Sequence, residues 1–340
     1  MVGGRSSEHT ISLKSGAAVA NHFQDDLYDV TYLSIGKDGK WCVHDTFPSL
    51  EDVSSVCSEA LISEKVLKKL QNSDLLFPVL HGPYGEDGTI QGFFEMLNKP
   101  YVGCDCRSAA VAMDKVMTKI VCESIGVKTS PYRYYFKYEW SSSKKTICSE
   151  IIQNFTFPVF VKAVHLGSAI GVFKVDDNVL LEEIIDEVFE YDDKVVIEQE
   201  VRGREIEFAV LGNENPIVFP PGEVLSNGEV YTYDAKYGLD GFSASPKADL
   251  TEAQIVLGKK LAYQCYKAIG CEGMARIDFF LDANGDYWLN EINPIPGFTS
   301  ISLYPKICME NGLTFSEILN RLVVLSMHRH RKKNSEIKNA

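Results

Sequence analysis

The densest group of chemistry-bearing residues in this 340-residue chain is Arg276-Ile277-Asp278, followed by Asn290-Glu291-Ile292-Asn293-Pro294. Strand side chains alternate between faces, so Arg276 and Asp278 point the same way, as do Glu291 and Asn293. Asp282-Ala283-Asn284-Gly285 between the two runs is a hairpin signal. An aspartate, a glutamate and an asparagine amide then converge across the hairpin, with a guanidinium beside them. These are hard oxygen donors, the set that Mg²⁺ takes, with phosphate and water completing its shell. The same residues would also suit an exposed face carrying ordinary charges. Two same-face polar pairs on otherwise apolar strands are, however, costly to bury without purpose.

Three further constellations are weaker alone. Lys162 precedes Leu166-Gly167-Ser168-Ala169-Ile170-Gly171. A lysine at a strand end plus a glycine-rich turn brings an ammonium and backbone N–H groups around phosphate, although such turns are common in any β protein. The spacing is not that of a P-loop. His81-Gly82-Pro83-Tyr84-Gly85-Glu86-Asp87-Gly88 forms a tight loop after the apolar run Leu75 to Leu80, which reads as a buried parallel strand delivering a loop to a ligand. In Tyr231 to Tyr237, Lys236 is placed to reach a phosphate and Tyr237 to donate a hydrogen bond, but the segment equally fits a tyrosine-rich surface strand.

The elements that must position these residues follow from apolar periodicity. Helices are expected over Thr10 to Phe23, Ser63 to Gln71, Ala109 to Ile125, Leu180 to Tyr191 and Glu252 to Ile269. Strands are expected over Asp29 to Ser34, Val159 to Lys162, Val172 to Val175, Lys194 to Glu198, Glu205 to Leu211, Met274 to Leu281 and Asp286 to Ile292. Gly222 to Gly241 reads as one long functional loop, a lid. Strand–helix alternation at the start argues for an open α/β lobe. The length suits two or three packed lobes.

Composition narrows the function classes. The net charge of −13 disfavours nucleic acid. The one basic cluster, His328 to Lys333, reads as a solvated, frayed tail. No apolar run approaches the ~20 residues of a membrane span, and residues 1–9 lack a signal-peptide core, which together point to the cytosol. The nine cysteines include no paired CxxC motif, and Cys104 and Cys106 read as free thiols.

Taken together, the motifs resemble the D-alanine–D-alanine ligase family of the ATP-grasp superfamily. The resemblance runs from Gly3 to about Val324. It is carried by Gly3-Gly4-Arg5-Ser6-Ser7-Glu8-His9, His81 to Thr89, Met113-Asp114-Lys115, Val161-Lys162, Gly167-Ser168, Lys236-Tyr237, Ala275 to Asp278, Asn290 to Asn293 and Pro296-Gly297-Phe298-Thr299. It also resembles ligase domains that some bacteria fuse to another cell-wall enzyme. The fold implied is α/β: an N-terminal α/β substrate lobe (1–102), a central ATP-grasp lobe (103–200), a C-terminal ATP-grasp lobe with the metal site (201–325) and a basic tail (326–340). The cofactors implied are ATP and two Mg²⁺, with Mn²⁺ as a substitute. Lys115, Lys162 and Lys236 would hold phosphates, Glu198 and Val201 the adenine edge, and Glu205 the ribose. Asp278, Glu291 and Asn293 would bind metal. Glu8, linked to Ser168 and Tyr237, would hold the first D-alanine's ammonium, with His81 lining that subsite. Ser302 and Leu303 would receive the second D-alanine's carboxylate. Arg276 and the Gly297 N–H would stabilise the oxyanion. A homodimer is implied, with no interface readable in the sequence.

The chain departs from the family pattern in three places. Leu166 and Ala169 stand where polar residues are common, and Pro294 follows Asn293. Only Met1 and Val2 remain for the first strand, so the N-terminal sheet is expected to lack a central strand and Glu8 to be poorly anchored. On this reading the chain is a ligase domain cut from a longer fusion, or has a misplaced start. Competing functions are a D-alanyl-D-serine or D-alanyl-D-lactate ligase and a non-catalytic nucleotide-binding protein. Lys236-Tyr237 speaks against the lactate variant and the intact charged set against the last.

Overall fold

The computed structural model describes residues 1–24, 26–49, 53, 60–225 and 243–338. Its first sheet joins β1 (Val2–Gly3), β2 (Tyr32–Ile35) and β3 (Trp41–His44) in that order. The expected gap at the sheet centre is filled: β1 pairs in parallel with β2 on one side. On the other side, the Met1 ammonium donates to the Phe77 carbonyl at 2.8 Å and the Val79 N–H donates to Met1 O at 2.9 Å. The 75–80 run is bonded on both sides but is no regular strand. Pro78 has no N–H to give, and only Leu76 forms a bridge, parallel to Tyr101. Gly3 sits at φ +90, and a Cβ there would lie 2.3 Å from the Ile35 carbonyl oxygen, so the sharp exit from β1 requires glycine. It leads directly into α1 (His9–Ala20). Among the described residues the lobe also holds helices α2 (Glu64–Asn72) and α3 (Thr89–Met96).

The expected helix 109–125 is two helices, α4 (Cys106–Met113) and α5 (Lys115–Ser124). Asp114 breaks them because its carboxylate accepts the Val116 and Met117 N–H groups at 2.9 Å, capping α5. The second sheet, all antiparallel, has β4 (Tyr132–Phe136), β5 (Val159–Ala163), β6 (Val172–Val175) and β7 (Lys194–Gln199) in the order β4-β7-β5-β6. Along β5, Val159, Val161 and Ala163 are buried while Phe160 and Lys162 point the other way. The buried face packs on α6 (Lys137–Asn154) and α7 (Leu181–Val188) through Ile151, Ile185 and Val188, each contributing about 1.5–3 kcal/mol of apolar burial. Helix α7 stops at Val188, short of the expected Tyr191.

The third sheet runs β11 (Ser243–Ser245), β10 (Gly222–Leu225), β8 (Gly203–Leu211), β12 (Met274–Asp282), β13 (Tyr287–Asn293), with β9 (Ile217–Val218) also on β8. The expected lid therefore begins as a strand, and its 226–241 part, with Lys236 and Tyr237, lies outside the described residues. Phe208, Phe279 and Tyr287 meet edge-on beneath α8 (Glu252–Ile269). Ile295, Phe298 and α9 (Leu303–Glu310) share one core with Val2, Leu13 and Val79 of the first lobe. The expected frayed tail is the end of α10 (Phe315–Lys338). There Arg329 stacks 4.4 Å over the Tyr101 ring and donates to the Tyr101 and Gly103 carbonyls. No described helix is long and apolar enough to cross a membrane.

Candidate active site

Register across the third sheet decides the site. Glu207, Asp278 and Glu291 form one row across β8, β12 and β13, and Arg276 and Asn293 pair in the next row on the same face. The register then shifts between Asp278 and Phe279, leaving Asn290 as the extra residue of a β-bulge. That bulge turns Asn290 toward the second sheet, where Lys162 Nζ donates to its Oδ1 at 3.5 Å.

Arg276 is buried at 9% exposure and grips Asp278 with two prongs, Nε to Oδ1 at 2.9 Å and an Nη to Oδ2 at 2.7 Å. Its Nε also pairs with Glu207 Oε2 at 3.0 Å. Burial alone would lower the guanidinium pKa, but Asp278 and Glu207 outweigh it and hold it well above its ordinary value. Carboxylate oxygens of Glu205, Glu207 and Asp278 all lie within 4.8 Å of one another. Four carboxylates, Glu291 included, share this face with the one guanidinium, and a hard divalent cation suits that donor set. Asp278 is fully buried behind the wall rather than on it. The Asn293 Nδ2 donates to Asp278 Oδ2 at 2.9 Å and to Glu291 Oε1 at 3.3 Å. The expected Asn293 ligand is therefore presented nitrogen first, because carboxylates on both sides take its donors. Ligation through Oδ1 requires the amide to turn.

Two clefts meet at this face. One lies between the second and third sheets and is lined by Lys162, Glu198, Val201, Glu205 and Asn290. The other reaches the first lobe and is lined by Glu8, His81, Ser168, Arg276, Gly297, Ser302 and Leu303. Lys115, Leu166, Gly167 and Glu291 line both. In the first cleft, Glu198 is buried between Lys162 at 2.9 Å and Lys119 at 3.1 Å. Burial alone would raise its pKa, but the two lysines pull it down to about 2. Its carboxylate is thus committed to lysines rather than open to a base. Lys115 is lowered by burial and donates to the Val164 and Leu166 carbonyls, which ties α5 to the glycine-rich loop. In that loop Ser168 and Ala169 have φ of 52° and 58°, a left-handed backbone that costs non-glycine residues about 1 kcal/mol each.

Glu8 is well anchored in the second cleft, contrary to expectation. It is only 5% exposed and accepts a hydrogen bond from Ser168 Oγ. Two glycines make the room: a Cβ on Gly82 or Gly167 would lie 2.4 or 3.0 Å from Glu8 Oε2. A Cβ on Gly297 would lie 2.6 Å from Ser302 Oγ. Ser302 precedes α9, whose first residue, Leu303, has an N–H with no intrahelical acceptor, a natural carboxylate site. Glu86, beside Glu8, is pushed well above the carboxylate range, chiefly by burial and then by Glu8.

Sequence reasoning missed Glu207, Lys119 and Glu86. Glu207 was readable, since it lies two residues from Glu205 on an alternating strand. Lys119 had only the faint signal of lying one helical turn after Lys115.

Comparison with known proteins finds relatives over nearly the whole chain. The D-ala D-ala ligase N-terminus model matches residues 1–104 and the D-ala D-ala ligase C-terminus model residues 121–324. The chain is 37% identical over 356 residues to a D-alanine–D-alanine ligase of Acetivibrio thermocellus, covering 96% of this chain and 95% of that one. It is 38% identical over 339 residues to the bifunctional enzyme MurC/Ddl of Chlamydia pneumoniae, covering 98% of this chain and 42% of that protein. Among solved structures, the D-alanine–D-alanine ligase from Coxiella burnetii superposes with a TM-score of 0.83 at 31% identity, covering 99% of this chain and 96% of that one. The VanG D-Ala:D-Ser ligase from Enterococcus faecalis gives 0.81 at 31% identity, covering 96% and 97%. With both halves matched and full-length relatives above 30% identity, the chain belongs to the D-alanine–D-alanine ligase family, of ATP-grasp fold.

Proposed function

We propose that the chain uses ATP to join two D-alanine molecules into D-alanyl-D-alanine for peptidoglycan precursor synthesis. The observation that carries this reading is the junction of the two clefts at Lys115, Gly167 and Glu291, with Arg276 and Gly297 just beyond it. A nucleotide in the first cleft then presents its terminal phosphate to a carboxylate held in the second.

A carboxylate oxygen of the first D-alanine, its ammonium held by Glu8, attacks the γ-phosphorus, and ADP leaves. Lys115 and Lys162 hold the phosphates, so this step is mostly positioning and charge neutralisation. Asp278, Glu291 and, once its amide turns, Asn293 would hold Mg²⁺, which would supply further neutralisation of phosphate charge. The second D-alanine, its carboxylate on Ser302 and Leu303, attacks the acyl carbon through its deprotonated amine. Arg276 and the Gly297 N–H stabilise the oxyanion, and phosphate leaves as the C–O bond breaks.

The test is ADP release with D-alanine alone, with L-alanine, and with D-serine or D-lactate beside D-alanine. Release with D-alanine but not L-alanine, accompanied by dipeptide, supports the reading. Preferential incorporation of D-serine would reassign the second subsite, and nucleotide binding without D-alanine-dependent ADP would remove the activity.

A further inference from the structure

The segment 294–298, between β13 and α9, carries the Gly297 donor and has no regular structure of its own. Its backbone is held by the first lobe. Pro294 and Pro296 have no N–H, so the segment owns three donors, on Ile295, Gly297 and Phe298. The Ile295 N–H donates to Glu86 Oε1 at 3.3 Å. The Phe298 N–H donates to Ser15 Oγ at 3.2 Å. The remaining donor is that of Gly297, which lines the substrate cleft.

Ser15 does more than accept. It is fully buried on α1, and its Oγ lies 3.0 Å from His81 Nε2. His81 Nδ1 faces the Ile295 carbonyl at 3.1 Å, and a carbonyl only accepts, so Nδ1 carries the proton. With Nδ1–H donating to Ile295, Nε2 shares a hydrogen bond with Ser15 Oγ, and Ser15 Oγ takes the Phe298 N–H. Glu86 is anchored in turn, since its Oε2 accepts the Gly82 N–H at 2.6 Å.

We infer that Ser15, with Glu86, is a positioning residue for the peptide-forming step: the first lobe occupies the two flanking N–H groups of segment 294–298 and leaves only the Gly297 N–H turned to the substrate. Two prolines remove competing donors, two side chains take up the neighbours, and the Ile295 carbonyl of the same segment fixes the His81 proton on Nδ1. The inference rests on the proposed ligase reading for its catalytic part, while its structural part stands apart from that reading.

Two measurements test it. In the wild-type protein, the Ile295 and Phe298 amides should exchange with solvent at least about tenfold slower than that of Gly297, the protection expected from one hydrogen bond each. Ser15→Ala should erase the difference at Phe298. Ser12→Ala should leave it intact, because Ser12, also buried on α1, bonds Gly3 and Val79 instead. Ser15→Cys, which keeps the volume with a weaker acceptor, should fall between. In turnover, Ser15→Ala should lower kcat about tenfold, leave KM for ATP within about twofold, and raise ADP released per dipeptide above one as water intercepts the acyl phosphate. Equal wild-type exchange at all three amides, equal loosening by Ser12→Ala, or Ser15→Ala with unchanged kcat and ADP-to-dipeptide ratio would overturn it. A wild-type protein that releases no ADP with D-alanine refutes the ligase reading and the catalytic role together, while the exchange data still decide the clamp.

Discussion

Replacing Arg276 by lysine keeps the positive charge and removes the planar fork. In the structure that fork makes two hydrogen bonds to Asp278, at 2.9 and 2.7 Å, and its Nε lies 3.0 Å from Glu207. An ammonium cannot reproduce the paired geometry on Asp278 and also reach Glu207. Losing one hydrogen bond between charged groups costs about 1.5–3 kcal/mol, so the variant should be destabilised by about that amount and still fold. Arg276→Ala, which leaves the buried carboxylates without their cation, should cost about 3–5 kcal/mol. The functional loss is larger and more selective. Arg276 lines the substrate cleft and not the nucleotide cleft. Loss of one oxyanion donor should reduce kcat by about 10²–10³. ATP affinity should change by less than about threefold. Dipeptide formation measured beside ATP binding by calorimetry separates the two. Comparable losses in both, or a kcat within about threefold of wild type, would refute the oxyanion role.

Other outcomes follow from neighbouring groups. Lys119→Met leaves Glu198 with Lys162 as its sole lysine partner, so Lys162 is held back from phosphate; KM for ATP should rise about tenfold and unfolding should show a loss of about 3 kcal/mol. Glu291→Gln should raise the Mg²⁺ concentration for half-maximal ADP release about 10–100-fold, and EDTA should abolish release in wild type. The His165 imidazole, hydrogen-bonded to Asp114 and Asp192, is raised to about 9. A raised histidine stabilises fully below its unfolded pKa of about 6.5, and that contribution is lost as pH climbs through about 9. The ring is partly exposed, so solvent screening leaves about 1 kcal/mol. The stability gap between wild type and His165→Gln, read from urea melts, should therefore shrink from about 1 kcal/mol at pH 6 to near zero at pH 10.

Local rules made the hairpin legible. Side-chain alternation put Arg276 on one face with Asp278, and Glu291 on one face with Asn293; the bulge is what pairs Asp278 with Glu291 and Arg276 with Asn293. The bulge at Asn290 was not legible, because one extra residue leaves no mark on an alternating pattern. The Asp114 break was written in the sequence as a cap but masked by continuous apolar periodicity across it. Pro78 likewise carried the signal against a regular strand at 75–80. Glu8 looked poorly anchored because the strand before it is short. What anchors it is remote: Ser168 and two glycines from other loops. The contact between Ser15 and Phe298 spans 283 positions, and no local pattern encodes it.

The central claim is that a carboxylate in the substrate cleft is phosphorylated across the junction at Lys115 and Glu291. D-alanine labelled with ¹⁸O in its carboxylate tests it most directly, read by mass spectrometry of the phosphate released. One labelled oxygen should reach each phosphate for every dipeptide formed. Unlabelled phosphate alongside normal dipeptide yield would mean that no acyl phosphate forms and that the two clefts do not exchange a phosphoryl group.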